Sequence, residues 1–525
     1  MPGRLSVAWL AFTPESTPPP LRSDQTRSTV HRIDPLFKDR DMNAADIGRA
    51  VTRITTASRS ACSLTRRRDA LLEARRGVLP SMSALSVWSD VVPHDPVELV
   101  RKLIRFDTTN PPGNEAPCIG WIKDLCDGAG LLTRILAKDA ARPNLLARLP
   151  GRGVAPPLLL QGHVDVVTTA GQSWRHDPHG AELIDGEIWG RGALDMKGGV
   201  AMMLGAILRL AEAAEPPPGD VLLCVLADEE NLGGYGARFV VEEYPGLFEG
   251  VRHALGEFGG ARTEMAGLST YPIQVGEKQV CWSRATIRGP GGHGSMPMRG
   301  GAMARLARLL SALDSRRLPV HVTEIPRSMI EVVVAALPAG GRELADGLLD
   351  PERTDATIDM LGEAGQTLDP MFHNTVNATV VRGGTKVNVI PSELQVELDG
   401  RLLPGQTADD LFRELRELAD DEDLELEALN YEQGVDRVDL SLMPLLSDVL
   451  TAADPKAVPL PMLMPGLTDG RLFARLGIQT YGFLPMRLPT EMKFTSLIHA
   501  ADERVPAQEI GWGTDRIYEV LTRYR

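Results

Sequence analysis

The chain has 525 residues, enough for two or three domains, and its 43% hydrophobic and 24% charged content supports an ordinary globular core. A formal net charge of -14 argues against a general affinity for nucleic acid or an anionic membrane surface. No apolar stretch approaches the roughly 18 residues a membrane span needs. The five cysteines (Cys62, Cys118, Cys126, Cys224, Cys281) are an odd number without metal-type pairing, and they read as reduced thiols of a cytoplasmic protein.

Residues 1–81 differ from the rest. They hold 14 Lys plus Arg against 8 Asp plus Glu, a net of +6, so the remainder carries -14 minus 6, or -20. PESTPPP, Ser- and Thr-rich pieces and the Arg66–Arg68 triplet bury little apolar surface, and this composition predicts a disordered extension. LSVAWLAF has the look of a short signal core but lacks a good small-residue cleavage site. The alternative is that translation begins at Met82.

From Val97, VELVRKLIRFDTT has helical spacing and stops at NPPGNE. NLLARLP and PLLLQGHVDVV read as strands, GVAMMLGAILRLAEAA as a long apolar helix, and VLLCVLADEE as a strand buried on both faces. Strands alternating with helices predict an α/β domain with a mostly parallel sheet. The pattern then changes. CWSRATIRG, NATVVRGG and LQVELDGRLL alternate like half-exposed strands, and GAMARLARLLSAL is an amphipathic helix. Residues 279–401 are therefore expected to form an inserted α+β domain, with 96–278 and 402–525 as the catalytic domain. ADDLFRELRELADD reads as a helix following the insert, and YGFLPM as a returning strand.

Three acidic stretches carry the chemistry: LLLQGHVDVV, WGRGALDMKGG and CVLADEENLGG. The first and third are apolar runs that end in ligand-type residues, as strands do when they deliver side chains to a sheet edge. His163 and Asp165 lie two apart on one strand face, so His163 is placed to bind a metal while Asp165 takes the other ring N–H. Asp195 sits in a Gly-rich turn before a helix, and its two oxygens can bridge two cations. Glu229 and Glu230 are adjacent and must diverge; one is free to ligate metal while the other handles a proton, the division that activating water requires.

With GHVDVV, GRGALDMKGG, ADEENLGG, GPGGHGSMP, GGTKVNVIP, DGRLLPG, MPGLTDGRLF and IHAADERV in this order, the chain from about Val97 to its C-terminus resembles the M20 family of metallohydrolases. That family includes aminoacylases, acetylornithine deacetylase, succinyl-diaminopimelate desuccinylase and carboxypeptidases. The resemblance implies that His163 and Glu257 bind one ion, Glu230 and His499 the other, and that Asp195 bridges both. It implies Glu229 as general base and acid and His293 as the donor that steadies the oxyanion. Asn388 and Arg401 resemble substrate-holding positions, Arg401 through a bidentate grip on a carboxylate. MPGLTDG departs from the family's double-glycine form of that loop. Two Zn2+ per chain are implied, with Mn2+ or Co2+ also compatible with the donors. The implied enzyme is a homodimer whose insert acts as lid and dimerisation domain. It would cleave an amide of an N-acyl amino acid or small peptide with a free carboxylate, as deacylase or as carboxypeptidase or dipeptidase. A non-catalytic binding relative is the reading from another class, and it predicts loss of the base or of a ligand.

Overall fold

The computed structural model describes residues 95–525, apart from 338–340, 435–436 and 493. The expected extension over residues 1–81 lies outside the described residues. The largest sheet runs in the order Leu132–Leu136, Asn144–Leu149, Val221–Leu226, Leu158–His163, His253–Gly256, Gln479–Gly482, Leu268–Glu277 and Val458–Met464. Its centre is parallel: Leu158–His163 pairs in parallel with Val221–Leu226 and with His253–Gly256, and Gln479–Gly482 extends the parallel set. Antiparallel pairings flank this centre, and Val458–Met464 is again parallel to its neighbour.

The apolar runs explain the centre. All six residues of Leu158–His163 and of Val221–Leu226 are buried, because helices cover both faces. Leu158 and Leu160 join the core that contains the helix Lys197–Ala211, whereas Leu159 joins Leu222, Cys224, Ala237 and Phe473 on the opposite face. In Lys197–Ala211 every residue except Arg209 and Ala211 is buried, under the helices Pro96–Ile104 and Ala507–Arg523. Among the described residues Cys118, Cys126, Cys224 and Cys281 are buried and unpaired. No helix of the described residues is long and apolar enough to cross a membrane.

A second, antiparallel sheet has the order Thr375–Gly383, Glu393–Leu402, Gln279–Arg288 and Glu425–Tyr431. Helices Ala302–Ser315 and Ala408–Ala419 pack on it through Leu306, Leu309, Leu411 and Leu415 against Leu394, Val396 and Leu398. The boundaries expected from sequence need two corrections. Residue 401 is too early an end, because the helix Ala408–Ala419 and the strand Glu425–Tyr431 complete this core. The stretch 324–372 does not belong to it: its helices bury Ile325, Met329, Ile330, Leu348, Leu368 and Phe372 in the core of the large sheet. Periodicity reveals a helix's apolar face but not which of two sheets receives it.

The chain crosses between the two sheets at Lys278, whose ammonium is buried and donates to the His373 carbonyl (2.8 Å) and Thr375 Oγ1 (2.9 Å). Burial pushes this lysine down to about 7. The unfolded chain keeps the proton up to roughly 10.4. Between these values the unfolded state binds more protons, so this group makes stability rise with pH across that window. Lys278→Met is expected to flatten the rise of the denaturation midpoint between pH 7 and 10; an unchanged slope would show that Lys278 is charged in the fold.

Candidate metal centre

The parallel strands end together, and their C-terminal edge gathers the predicted ligands. His163 is the last residue of its strand, Glu229 and Glu230 follow Val221–Leu226 in a short turn, and Glu257 directly follows His253–Gly256. Asp195 lies just before the helix Lys197–Ala211. Two glycines permit this closeness. A Cβ on Gly162 would lie 2.5 Å from Met196 Cε, so its absence leaves room for the Met196 side chain against the strand that carries His163. Gly192 has φ +84°, and a Cβ there would meet Val166 Cγ1 at 2.8 Å.

Two clusters result, and they share Asp195: His163, Asp195 and Glu257 form one, and Asp195, Glu230 and His499 the other. Asp195 Oδ1 is 3.2 Å from His163 Nε2, while Oδ2 is 3.2 Å from His499 Nε2. Glu257 Oε2 lies 3.4 Å from His163 Nε2, and Glu230 Oε2 lies 3.1 Å from His499 Nε2. One carboxylate thus presents one oxygen to each cluster, with the Nε2 lone-pair position of both imidazoles turned inward.

The electrostatics are those of a site short of positive charge. Burial pushes the carboxyls of Glu229, Glu230 and Glu257 up, and repulsion from neighbouring carboxylates, Asp195 among them, adds to it. Burial opposes charge on His163, yet its contacts to Asp165, Asp195 and Glu257 hold it well above its usual value. The hydrogen bonds of Asp195 to the same histidines hold His499 up at about 10 and Asp195 low, although burial acts against the charge on both. Glu230 Oε1 and Glu257 Oε2 are buried without a hydrogen-bond partner. Unsatisfied buried carboxylate oxygens are costly unless a cation meets them. The imidazole and carboxylate donors suit Zn2+, Mn2+ or Co2+, so the residues present fit a pair of divalent ions.

Asp165 differs in detail from the sequence expectation. The His163 Nδ1 contact is shorter to the Asp165 carbonyl (2.9 Å) than to its carboxylate (3.4 Å). The carboxylate instead accepts the backbone N–H groups of Glu229 (3.1 Å) and Glu230 (3.2 Å), fixing the turn that carries both acids. Sequence reasoning missed the layer behind it. Asn110 Nδ2 donates to Asp165 and to Asp228, and Arg142 pairs with Asp228 (2.8 Å) and Glu115 (2.7 Å). Asp228 has φ 65°, a left-handed conformation that Asp tolerates. The acidic triplet at 228–230 and the NPPG turn were visible signals, but their partner Arg142 is distant in sequence. Arg142→Met would leave the buried carboxylates of Glu115 and Asp228 without their cation and is expected to cost about 3–5 kcal/mol of stability, read from denaturant unfolding. A loss no larger than that of an exposed ion pair, about 1 kcal/mol or less, would show that Arg142 does not hold this layer together.

The remaining predicted residues lie in neither cluster. His293 pairs with Val389 in a two-residue ladder and is exposed, and Asn388 is its neighbour, its carbonyl accepting from Gly294 N (2.9 Å). Sequence placed His293 and Asn388 almost a hundred residues apart; the fold makes them adjacent. His293 Nδ1 meets Ser295 through the side-chain Oγ (2.7 Å) and the backbone N–H (3.3 Å), which leaves its Nε2 as the outward ring nitrogen. Arg401 is engaged by Asp399 through Nε (2.8 Å) and Nη2 (3.1 Å), so its fork faces its own strand.

Comparison with known proteins agrees with this arrangement. The model of peptidase family M20/M25/M40 matches residues 159–523. A probable carboxypeptidase S-like 2 of Dictyostelium discoideum is 27% identical over 70% of this chain and 71% of its own length. A succinyl-diaminopimelate desuccinylase of Cereibacter sphaeroides is 32% identical over 43% of this chain, a stretch that spans 58% of that protein. Among solved structures, an M20 family metallo-carboxypeptidase from Sulfolobus solfataricus superposes with a TM-score of 0.55 at 18% identity, covering 82% of this chain and 99% of that one. A dinuclear metal-binding M20 peptidase of Bacillus subtilis gives 0.51 at 14% identity, covering 81% and 96%. With the family model covering most of the described residues, and an α/β fold that ends its parallel strands at a shared acidic centre, this chain belongs to the M20/M25/M40 family of metal-dependent peptidases and amidohydrolases.

Proposed function

We propose that this enzyme uses two Zn2+ ions to hydrolyse an amide bond close to a free carboxylate, in an N-acyl amino acid or a small peptide. The observation that carries the reading is the pair of ligand clusters joined by the two oxygens of Asp195. In this reading His163 and Glu257 hold one ion, Glu230 and His499 the other, and Asp195 both. When bound, such ions polarise the amide carbonyl and lower the pKa of the attacking water.

The chain's own residues supply the rest. Glu229 takes a proton from the water and returns it to the departing amine, and its burial beside other acids favours holding that proton. Asp165 keeps the base in place through the peptide N–H of Glu229. In this reading His293 donates from Nε2 to the oxygen on which negative charge develops. It lies on the antiparallel insert, so in this reading the insert moves as a lid to bring it in, from the same chain or from a partner in a homodimer. Arg401 grips the substrate carboxylate by exchanging Asp399 for it, and Asn388 accompanies His293. The proposed setting is the cytoplasm.

The substrate names among relatives, carboxypeptidase and desuccinylase, differ in what lies beyond the scissile amide and agree in its chemistry. A screen of N-acetyl, N-succinyl and longer N-acyl amino acids beside dipeptides tests the reading. Hydrolysis of one class, lost when its carboxylate is amidated, is the expected result. If the metal-loaded enzyme turns over nothing in the panel, or cleaves amidated and free forms equally, the carboxylate-directed reading fails.

A further inference from the structure

His499 is unusual among the ligands. Its side chain is half exposed, and its backbone has φ 60°, with Asp502 at φ 62° three residues later. Non-glycine residues pay about 1 kcal/mol or more in the left-handed region, so two of them in one loop persist only where neighbours hold them. Arg175 and Arg504 engage Asp502, and three side chains outside the metal clusters form the support behind His499. Gln172 Nε2 donates to the His499 carbonyl at 2.7 Å. Gln172 Oε1 accepts from Arg191 Nη2 at 2.8 Å and from Trp174 Nε1 at 3.1 Å. Arg191 Nη1 donates to Glu503 Oε2 at 2.6 Å, and both of those residues are fully buried.

Glu503 closes the circuit on the other ligand of this ion. Its Oε1 accepts the backbone N–H groups of Leu194 (2.7 Å) and Asp195 (3.1 Å), and its Oε2 accepts that of Gly192 (3.0 Å). A short sheet ties the same two segments, with Arg504 opposite Trp189 and Val505 opposite Ile188. One buried carboxylate therefore grips the loop that carries the bridging aspartate. An arginine and a glutamine carry that grip to the histidine on the far side of the ion.

We propose that Gln172, Arg191 and Glu503 form a single positioning unit that fixes His499 against Asp195 and thereby sets the affinity for the second ion, the one held by Asp195, Glu230 and His499. The inference rests on the two-ion reading above. Gln172 and Glu503 reach the ligands only through backbone groups of His499 and Asp195, and Arg191 only through those two side chains, so the three are positioning residues and not ligands. The first ion shares Asp195 but has further supports of its own, His163 and Glu257 at the ends of the parallel strands, so it is expected to depend on this unit less than the second.

The test is equilibrium dialysis of the full chain against Co2+ at the lowest free concentration that gives two ions per wild-type chain. Glu503→Gln and Gln172→Leu are each expected to hold one ion there, with the second regained only at about 10–100-fold higher Co2+, the usual cost of losing an outer partner of a ligand. Hydrolysis is expected to return with the second ion. Gln172 is only partly buried, so its variant keeps the test decisive if Glu503→Gln fails to fold. Two ions bound by both variants at the wild-type concentration would overturn the proposal, as would equal weakening of both ions. A wild-type chain that binds no Co2+ would overturn the two-ion reading itself, a separate and distinguishable result.

Discussion

Glu229→Gln is expected to lower kcat by about 10²–10⁴-fold with both ions retained. The amide has the shape of the acid but cannot take a proton from water or pass one to the amine. Three features place the effect on this residue, and the second of them sets it apart from Glu230, which belongs to a cluster. Its backbone N–H is fixed by the Asp165 carboxylate, its side chain belongs to neither ligand cluster, and burial with nearby Glu257 pushes its carboxyl up toward the range a base needs. Steady-state kinetics beside a metal count on the same sample would check it. A variant within a few-fold of wild type would remove Glu229 from the proposed mechanism, and a variant that lost its metal would make it a ligand.

Asp195→Ala is expected to act on both ions at once. Outer partners of metal ligands already cost about 10–100-fold; a ligand shared by two ions is expected to cost more, about 10³-fold or beyond in kcat/KM, with metal content falling below the wild-type level. The basis is geometric: Oδ1 and Oδ2 each lie 3.2 Å from a different imidazole. Glu257→Ala, which touches only the first cluster, provides the comparison. Equal metal loss in the two variants would argue against the bridge.

Much of the site was legible because strands make sequence spacing into geometry. His163 ends a six-residue buried run, Glu229 and Glu230 follow another, and a parallel sheet brings such ends to one edge. Glu257 is legible by the same rule. Asp195 is marked by its glycine-rich turn, where Gly192 takes φ +84° against Val166. His293 and Asn388 were legible as motif residues, but their adjacency depends on a two-residue ladder across the insert. Glu503 stood in plain view in IHAADERV, four residues after His499; its role was hidden because its partners are backbone N–H groups about three hundred residues earlier. The helices within 324–372 were read as insert for a related reason. Their apolar faces are clear, and the sheet that buries them is set by tertiary packing alone.

Metal content, measured by elemental analysis together with hydrolysis of the acyl amino acid and dipeptide panel before chelation, after chelation and after reconstitution, tests the central claim most directly. About two ions per chain are expected, with hydrolysis lost on their removal and restored by Zn2+, Mn2+ or Co2+. A chain that binds none of these ions after reconstitution, or that hydrolyses the panel undiminished without them, would contradict it.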